Sequence, residues 1–244
     1  MGDFLPEAQV KKLKGCNLTA FMSNKISATC CEFFIFCIMK QSYKVFLNNY
    51  FIFFVSQNQF GHLEDIDLRH FFVVRSLSYL LKLLKSKKFL IDQNVLFYSN
   101  NLSVDFLEFK SNFHFLVAAG GVVKNLNNQY LMILKNNIWD LPKGKVKFKE
   151  EVRDAAIREV YEETNLRNLK ITSKSFKIFH MYFETGIPIF LKETNWFLMQ
   201  LQGDATLIGQ KEEGITDIKW MDYENILKIK TYASIHHLFQ QFIN

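Results

Sequence analysis

A short acidic segment constrains the fold of this chain more than any other feature of the sequence. From Gly144 to Leu166 it reads GKVKFKEEVRDAAIREVYEETNL. At about 100° per residue, one side of the corresponding helix is apolar. We expect this side to be buried against a β-sheet. It consists of Ala156, Ile157, Val160 and Tyr161.

Three glutamates share another side of the same helix. Glu159, Glu162 and Glu163 stand at positions i, i+3 and i+4, and the small Ala155 leaves space beside them. Like charges at this spacing destabilise a helix by about 0.2–0.5 kcal/mol per pair, so a bound cation would relieve their repulsion. Carboxylate oxygens suit Mg²⁺, which keeps positions open for phosphate and water. The glutamate spacing alone is equally compatible with an exposed acidic surface that binds nothing.

Arg158 directly precedes the glutamate cluster and lies near Glu162 on the helical wheel. We expect it to pair with Glu150 across the junction between the preceding loop and the helix. Such a pair would hold the acidic side chains in place.

The loop before the helix, DLPKGKV, has the composition of a phosphate-facing turn. Pro142 fixes the backbone φ angle, and Gly144 allows close approach of the backbone to a metal or phosphate. Lys143 and Lys145 flank the glycine and could neutralise polyphosphate charge. Ordinary solvated loop lysines are the alternative.

These residues resemble the signature of the Nudix hydrolase family, G-x(5)-E-x(7)-R-E-U-x-E-E-x-G-U, where U is aliphatic. One specified position differs, because Asn165 stands where the family has glycine, and asparagine tolerates the left-handed backbone that often follows a helix. The matching residues are Gly144, Glu150, Arg158, Glu159, Val160, Glu162, Glu163 and Leu166.

The resemblance implies an α/β fold, the Nudix α/β/α sandwich with a mixed sheet. It also implies Mg²⁺-dependent hydrolysis of a phosphoanhydride bond in a nucleoside diphosphate linked to another group, with Mn²⁺ as a possible substitute. Arg158 would orient the acidic side chains, and the backbone carbonyl of Lys143 would join the metal shell. The expected metal ligands are Glu159, Glu163, Glu162 and Glu150.

The general base is expected either in a late loop or on the helix itself. Some Nudix enzymes take a glutamate from a loop ahead of a late strand, and QKEEGITDIKW offers Glu212 and Glu213 there. We favour Glu213, with Glu162 as the catalytic alternative and a plain polar loop as the non-catalytic one.

The 244 residues are expected to form three parts. Residues 1–42 are interpreted as a leader outside the native or ordered protein, with translation beginning at Met39. Their apolar run near residues 26–39 contains Glu32 and is shorter than the roughly 20 residues of a spanning helix, which leaves a short signal-like segment as the alternative. Residues 43–113 are predicted to form a small α/β domain, and residues 114–244 the Nudix domain, an arrangement that resembles a bacterial Nudix subgroup.

Charge and cysteine content indicate the partners and the compartment. The net charge of +6 favours anionic partners such as nucleotides or polyphosphates. All four cysteines precede residue 38, which suits a reducing cytoplasm. We expect no membrane partner, and a homodimer is compatible with the sequence.

The substrate is left open by the sequence. The LPKGK loop is similar to that of dinucleoside polyphosphate hydrolases, diphosphoinositol polyphosphate phosphatases and decapping enzymes, but the last group carries a helical N-terminal domain. We favour a dinucleoside polyphosphate; oxidised nucleoside triphosphates, ADP-ribose and sugar nucleotides also fit. The alternative functions are a Nudix-like nucleotide sensor without hydrolysis and an RNA 5′-end pyrophosphohydrolase, the latter acting on capped or 5′-polyphosphate RNA.

Overall fold

The computed structural model of the chain describes residues 42–47, 50–56, 71–86, 93–183, 189–203 and 206–243. The predicted leader therefore lies outside the described residues except for Ser42. Every helix within the described ranges is too short or too polar to cross a bilayer.

Strands and helices alternate along the described part of the chain. The strands are β1 (Ser42–Leu47), β2 (Tyr50–Ser56), β3 (Phe71–Val74), β4 (Asn94–Ser99), β5 (His114–Lys124), β6 (Tyr130–Lys135), β7 (Ile138–Asp140), β8 (Lys143–Lys145), β9 (Leu169–Ile171), β10 (Phe176–Tyr182), β11 (Phe190–Leu201) and β12 (Ile215–Met221). The helices are α1 (Leu77–Lys85), α2 (Leu102–Ser111), α3 (Val152–Thr164), α4 (Tyr223–Ile226) and α5 (Ala233–Ile243), with a 3₁₀ turn at Lys211–Glu213.

The described strands form one mixed sheet in the order β12-β6-β5-β11-β10-β1-β2-β4-β3. The short strands β7, β8 and β9 pair with β6, β5 and β11. Its longest pairing joins β5 and β11 in parallel, from Phe190 opposite His114 to Gln200 opposite Lys124.

Helices cover both faces of this sheet. The face that carries Met199 packs against α3, through Ala156 and Val160. The opposite face carries Trp196 and packs against α5, through Leu238 and Phe239. The predicted α/β/α sandwich with a mixed sheet is confirmed.

The first described strands extend this sheet instead of forming a separate one. β1 and β2 pair antiparallel, with Leu47 opposite Tyr50. The other edge of β1 pairs in parallel with β10, where Val45 lies opposite Phe179. Residues 43–113 also contain α1 and α2, as expected of an α/β segment, while the boundary at residues 113 and 114 stays a prediction.

Helix caps in this segment follow side-chain chemistry. Ser76 caps α1, because its hydroxyl accepts a hydrogen bond from the Tyr79 N–H. The serine nearest the start of α2, Ser103, already lies inside the helix. Asn101 is the cap, and its side-chain oxygen accepts from Val104 N, so the helix starts before Ser103.

Two adjacent glycines let other elements approach β5 closely. A Cβ atom at Gly120 would lie 2.5 Å from the Pro142 carbonyl oxygen, and one at Gly121 would lie 2.7 Å from a Val160 methyl group. The loop before α3 and α3 itself can therefore pack directly on the strand.

His237 packs inside the apolar layer under α5. Its ring lies 5.5 Å from that of Phe46 and 6.0 Å from that of Phe176. Burial, together with the nearby Lys44, lowers the pKa of the imidazole to about 3.

This burial predicts acid sensitivity of the fold. An unfolded histidine has a pKa near 6.5, so between about pH 6.5 and 3 the unfolded chain binds the proton that folded His237 does not. Stability should therefore fall as the pH falls through this window. In urea unfolding at pH 7 and pH 5, His237→Phe should show a smaller pH difference in unfolding free energy than the wild type. The exposed His114, changed to Gln, is the control, and an unchanged pH difference in His237→Phe would refute the assignment.

Candidate active site

Helix α3 presents the acidic cluster because its opposite side is buried. Ala156 and Val160 are fully buried against the sheet, as the apolar pattern predicts, and Ala155, which was expected beside the glutamates, is fully buried as well. Tyr161 was expected in the same layer, but it is exposed and its ring lies under the Arg167 guanidinium at 4.8 Å, so that prediction is wrong. Asn165 ends the helix with φ 59°, which confirms the left-handed conformation expected there.

Arg158 is the central cation of the cluster. Its Nε donates to Glu150 Oε1 at 2.6 Å, and its Nη2 donates to Glu150 Oε2 at 2.8 Å. Its Nη1 donates to Glu159 Oε1 at 2.6 Å and to Glu162 Oε2 at 2.8 Å. The predicted pairing with Glu150 is therefore present, and the same guanidinium neutralises two further carboxylates.

The contacts of Glu150 keep it ionised. Besides Arg158, its Oε2 accepts the Lys147 N–H at 2.9 Å. The Arg158 hydrogen bonds, with that backbone N–H, lower the pKa of Glu150 to about 2. Both of its oxygens are thus committed to fixing the loop against the helix.

Glu163 is the most buried carboxylate of the cluster. Its side chain is 5% exposed. Oε2 accepts the Lys143 N–H at 2.9 Å, whereas Oε1 lies 3.7 Å from Lys135 Nζ. Burial raises the pKa of Glu163 to about 7, although Lys143 and Lys135 act in the opposite direction.

Lys135 connects the helix to the late loop. Its Nζ lies 3.1 Å from Glu213 Oε2, so the predicted base candidate is brought next to Glu163 through one shared ammonium. Sequence reasoning missed Lys135, for which the one available signal was a charged residue at the end of an apolar strand.

Gly144 is required by the carboxylate of Glu159. A Cβ atom at position 144 would lie 2.0 Å from Glu159 Oε2, so only glycine leaves room for that side chain. The lysines on the two sides of Gly144 differ in their contacts. Lys143 pairs through Nζ with the buried Asp140, a residue that sequence reasoning also missed. Lys145 is exposed, and its carbonyl accepts from Arg158 Nη2 at 3.1 Å.

The chemistry of this donor set fits a divalent cation. Glu159 and Glu163 are hard oxygen donors one turn apart on α3, and the absence of a side chain at Gly144 leaves room beside Glu159 Oε2. Within the described ranges, no three Asp, Glu, His or Cys side chains form a ready metal-binding group. Arg158 and Lys135 supply the positive charge among the glutamates.

Similarity to known proteins extends over the second half of the chain. The family model described as NUDIX domain matches residues 114–242. An RNA pyrophosphohydrolase of Pelagibacter ubique is 25% identical over 138 residues, covering 50% of this chain and 84% of the relative. That of Bartonella henselae is 29% identical over 120 residues, covering 43% and 68%. The crystal structure of a C. elegans Ap4A hydrolase complex is 28% identical, covers 52% of this chain and 94% of its own, and has a TM-score of 0.45.

The Arg158 contacts predict that lysine cannot replace it. An ammonium is a point charge that cannot make two parallel hydrogen bonds to Glu150 while also contacting Glu159 and Glu162. Arg158 holds the candidate metal-binding carboxylates in place without binding the metal itself. Arg158→Lys should therefore weaken Mn²⁺ binding, measured by calorimetry, about 10–100-fold. Arg153→Lys, an exposed change on the same helix, should bind like the wild type. Equal affinity in the two variants would contradict the orienting role.

Proposed function

Because this chain belongs to the Nudix hydrolase family, we propose that it cleaves a phosphoanhydride bond in a nucleoside diphosphate linked to another group, at the acidic cluster of α3. The family and its relatives establish a hydrolase of pyrophosphate bonds. The observation that carries the assignment to α3 is the pair Glu159 and Glu163, one facing Gly144 and the other buried beside the Lys143 backbone.

Nudix enzymes generally use divalent metals, and we propose Mg²⁺ here, with Mn²⁺ as a substitute. Glu159 and Glu163 would hold it, with Glu162 as a further ligand. Glu150 is the least available candidate, because both of its oxygens already accept hydrogen bonds. When bound, the ion would neutralise charge on phosphate oxygens and lower the pKa of an attacking water.

The chain's own residues would divide the remaining tasks. Lys145 is exposed at the loop and could contact substrate phosphates, whereas Lys143 is held by Asp140 and contributes its backbone and its charge. Arg158 would keep the glutamates in place as a positioning residue. As general base we propose Glu213, supported by its proximity to Glu163 through Lys135, with Glu162 as the alternative.

Two substrate classes fit this site. The LPKGK loop favours a dinucleoside polyphosphate or related nucleotide. The named activity of the Pelagibacter and Bartonella relatives favours RNA with a 5′-polyphosphate, in which the same bond type is cut. A reducing cytoplasm is the compartment we propose, since no cysteine follows Cys37.

A turnover screen in Mg²⁺ separates these classes. Dinucleoside polyphosphates, nucleoside triphosphates, ADP-ribose, capped RNA and 5′-triphosphate RNA should be compared by kcat/KM, with released phosphate fragments identified. Hydrolysis of none of them, together with tight ADP-ribose binding, would support the nucleotide-sensor alternative.

Removing the buried carboxylate should abolish turnover. Glu163→Gln keeps the size of the side chain but removes its negative charge, so we expect kcat to fall by about 100-fold or more on the best substrate. Glu151→Gln is the matched control, because it removes one exposed charge just before the same helix. Wild-type turnover by Glu163→Gln would eliminate the proposed site, and equal losses in both variants would indicate a general charge effect.

A further inference from the structure

The turn before α3 exposes an aromatic ring beside the acidic cluster. Phe148 is 91% exposed, the largest exposure among the large hydrophobic side chains of the described residues. The ring contributes no apolar burial to the fold, which is common for a single surface residue. A binding role is the alternative that its surroundings support.

The backbone around Phe148 is held in one conformation. The Lys147 N–H donates to Glu150 Oε2 at 2.9 Å, and the Glu150 N–H donates to the Lys147 carbonyl at 3.1 Å. Between them Lys149 adopts φ 63°, a left-handed conformation that costs a lysine roughly 1–2 kcal/mol. A strained residue between two fixed ends keeps the ring directed outward from the turn.

The same contacts connect this turn to the acidic cluster. Glu150 is bound by Arg158, which also binds Glu162. Lys147 Nζ lies 3.5 Å from Glu162 Oε1. The ring is therefore positioned by the side chains that position the candidate metal ligands.

Lysines alternate with the other residues of this turn. Lys145, Lys147 and Lys149 are all exposed, and Lys149 Nζ lies 5.3 Å from the centre of the Phe148 ring. An exposed aromatic ring among cations can stack a base while the lysines neutralise the adjacent phosphates. A small nucleotide would instead require a concave pocket that buries most of its surface. An open ring at the tip of a turn suits a longer chain that passes over the surface.

We propose that Phe148, with Lys145 and Lys149, binds single-stranded RNA next to its 5′ end, a base stacking on the ring. The inference rests on the proposed function in one respect: the 5′-polyphosphate of that RNA occupies the cluster on α3. It assigns the substrate class of that site and adds a binding surface formed by unspecified positions of the family signature.

Binding without turnover tests the surface directly. A labelled RNA of roughly ten nucleotides that carries a non-hydrolysable 5′-triphosphate analogue is titrated by fluorescence anisotropy in Mg²⁺. Phe148→Ala should raise the Kd about 5- to 150-fold, the range for loss of one stacked base, whereas Phe148→Trp should retain affinity. Leu126→Ala is the matched control, a 69% exposed apolar residue in the turn between β5 and β6.

Removal of either lysine should make RNA binding less dependent on salt concentration. Lys145→Ala and Lys149→Ala should each make the slope of log K against log salt shallower by about 0.7, the value for one phosphate contact on a single strand. An unchanged slope in both variants would overturn their assignment to RNA phosphates.

Several outcomes would overturn the assignment of Phe148. Wild-type RNA affinity of Phe148→Ala would do so, as would equal losses in Phe148→Ala and Leu126→Ala. Binding to vesicles containing anionic lipid that depends on Phe148, with RNA affinity unaffected, would identify a membrane-contacting residue instead. Failure of the proposed function is distinguishable, because it would abolish Mg²⁺-dependent hydrolysis in every substrate of the screen while leaving Phe148-dependent RNA binding intact.

Discussion

The guanidinium of Arg158 is the contact on which the site depends. Three carboxylates, from Glu150, Glu159 and Glu162, meet this one cation at distances of 2.6–2.8 Å. Without it, their negative charges would repel one another along α3 and across the loop. Because Arg158 also donates to the Lys145 carbonyl, it fixes the loop to the helix as well as the side chains to each other. The conformation of the loop and the orientation of the carboxylates therefore depend on the same side chain, Arg158.

The sheet supplies the rigid surface behind this contact. Gly120 and Gly121 on β5 admit the Pro142 carbonyl and the Val160 side chain at distances that any larger residue would prevent. The loop and α3 therefore both pack on β5. Strand β11 pairs with β5 along its whole length. The first described strands widen the same sheet, because β1 pairs with β10, and two strands, β11 and β10, separate β1 from β5.

Local sequence could predict the features that local chemistry determines. The motif spacing predicted α3, its pairing between Glu150 and Arg158, and the left-handed Asn165, because each involves residues within about two turns or one loop. It could not predict that Lys135 joins Glu213 to Glu163, since Lys135 and Glu213 are 78 positions apart and meet only after β6 and β12 pair. Tyr161 was misassigned for a related reason: helical periodicity gives a direction, but the width of the covering sheet decides which marginal residue is buried.

Glu163 shows why the cluster calls for further positive charge. Its carboxylate is almost wholly removed from water, yet it has one backbone N–H at hydrogen-bond distance and an ammonium that is shared with Glu213. Burial of an ionised carboxylate costs several kcal/mol unless charge and hydrogen bonds compensate, and two partial compensations leave its pKa raised. A fold selected for stability alone would be better served by an apolar residue here. The cost of burying Glu163 is explained if its carboxylate binds a cation together with the substrate of the site. A desolvated anion binds a divalent ion more strongly than an exposed one does.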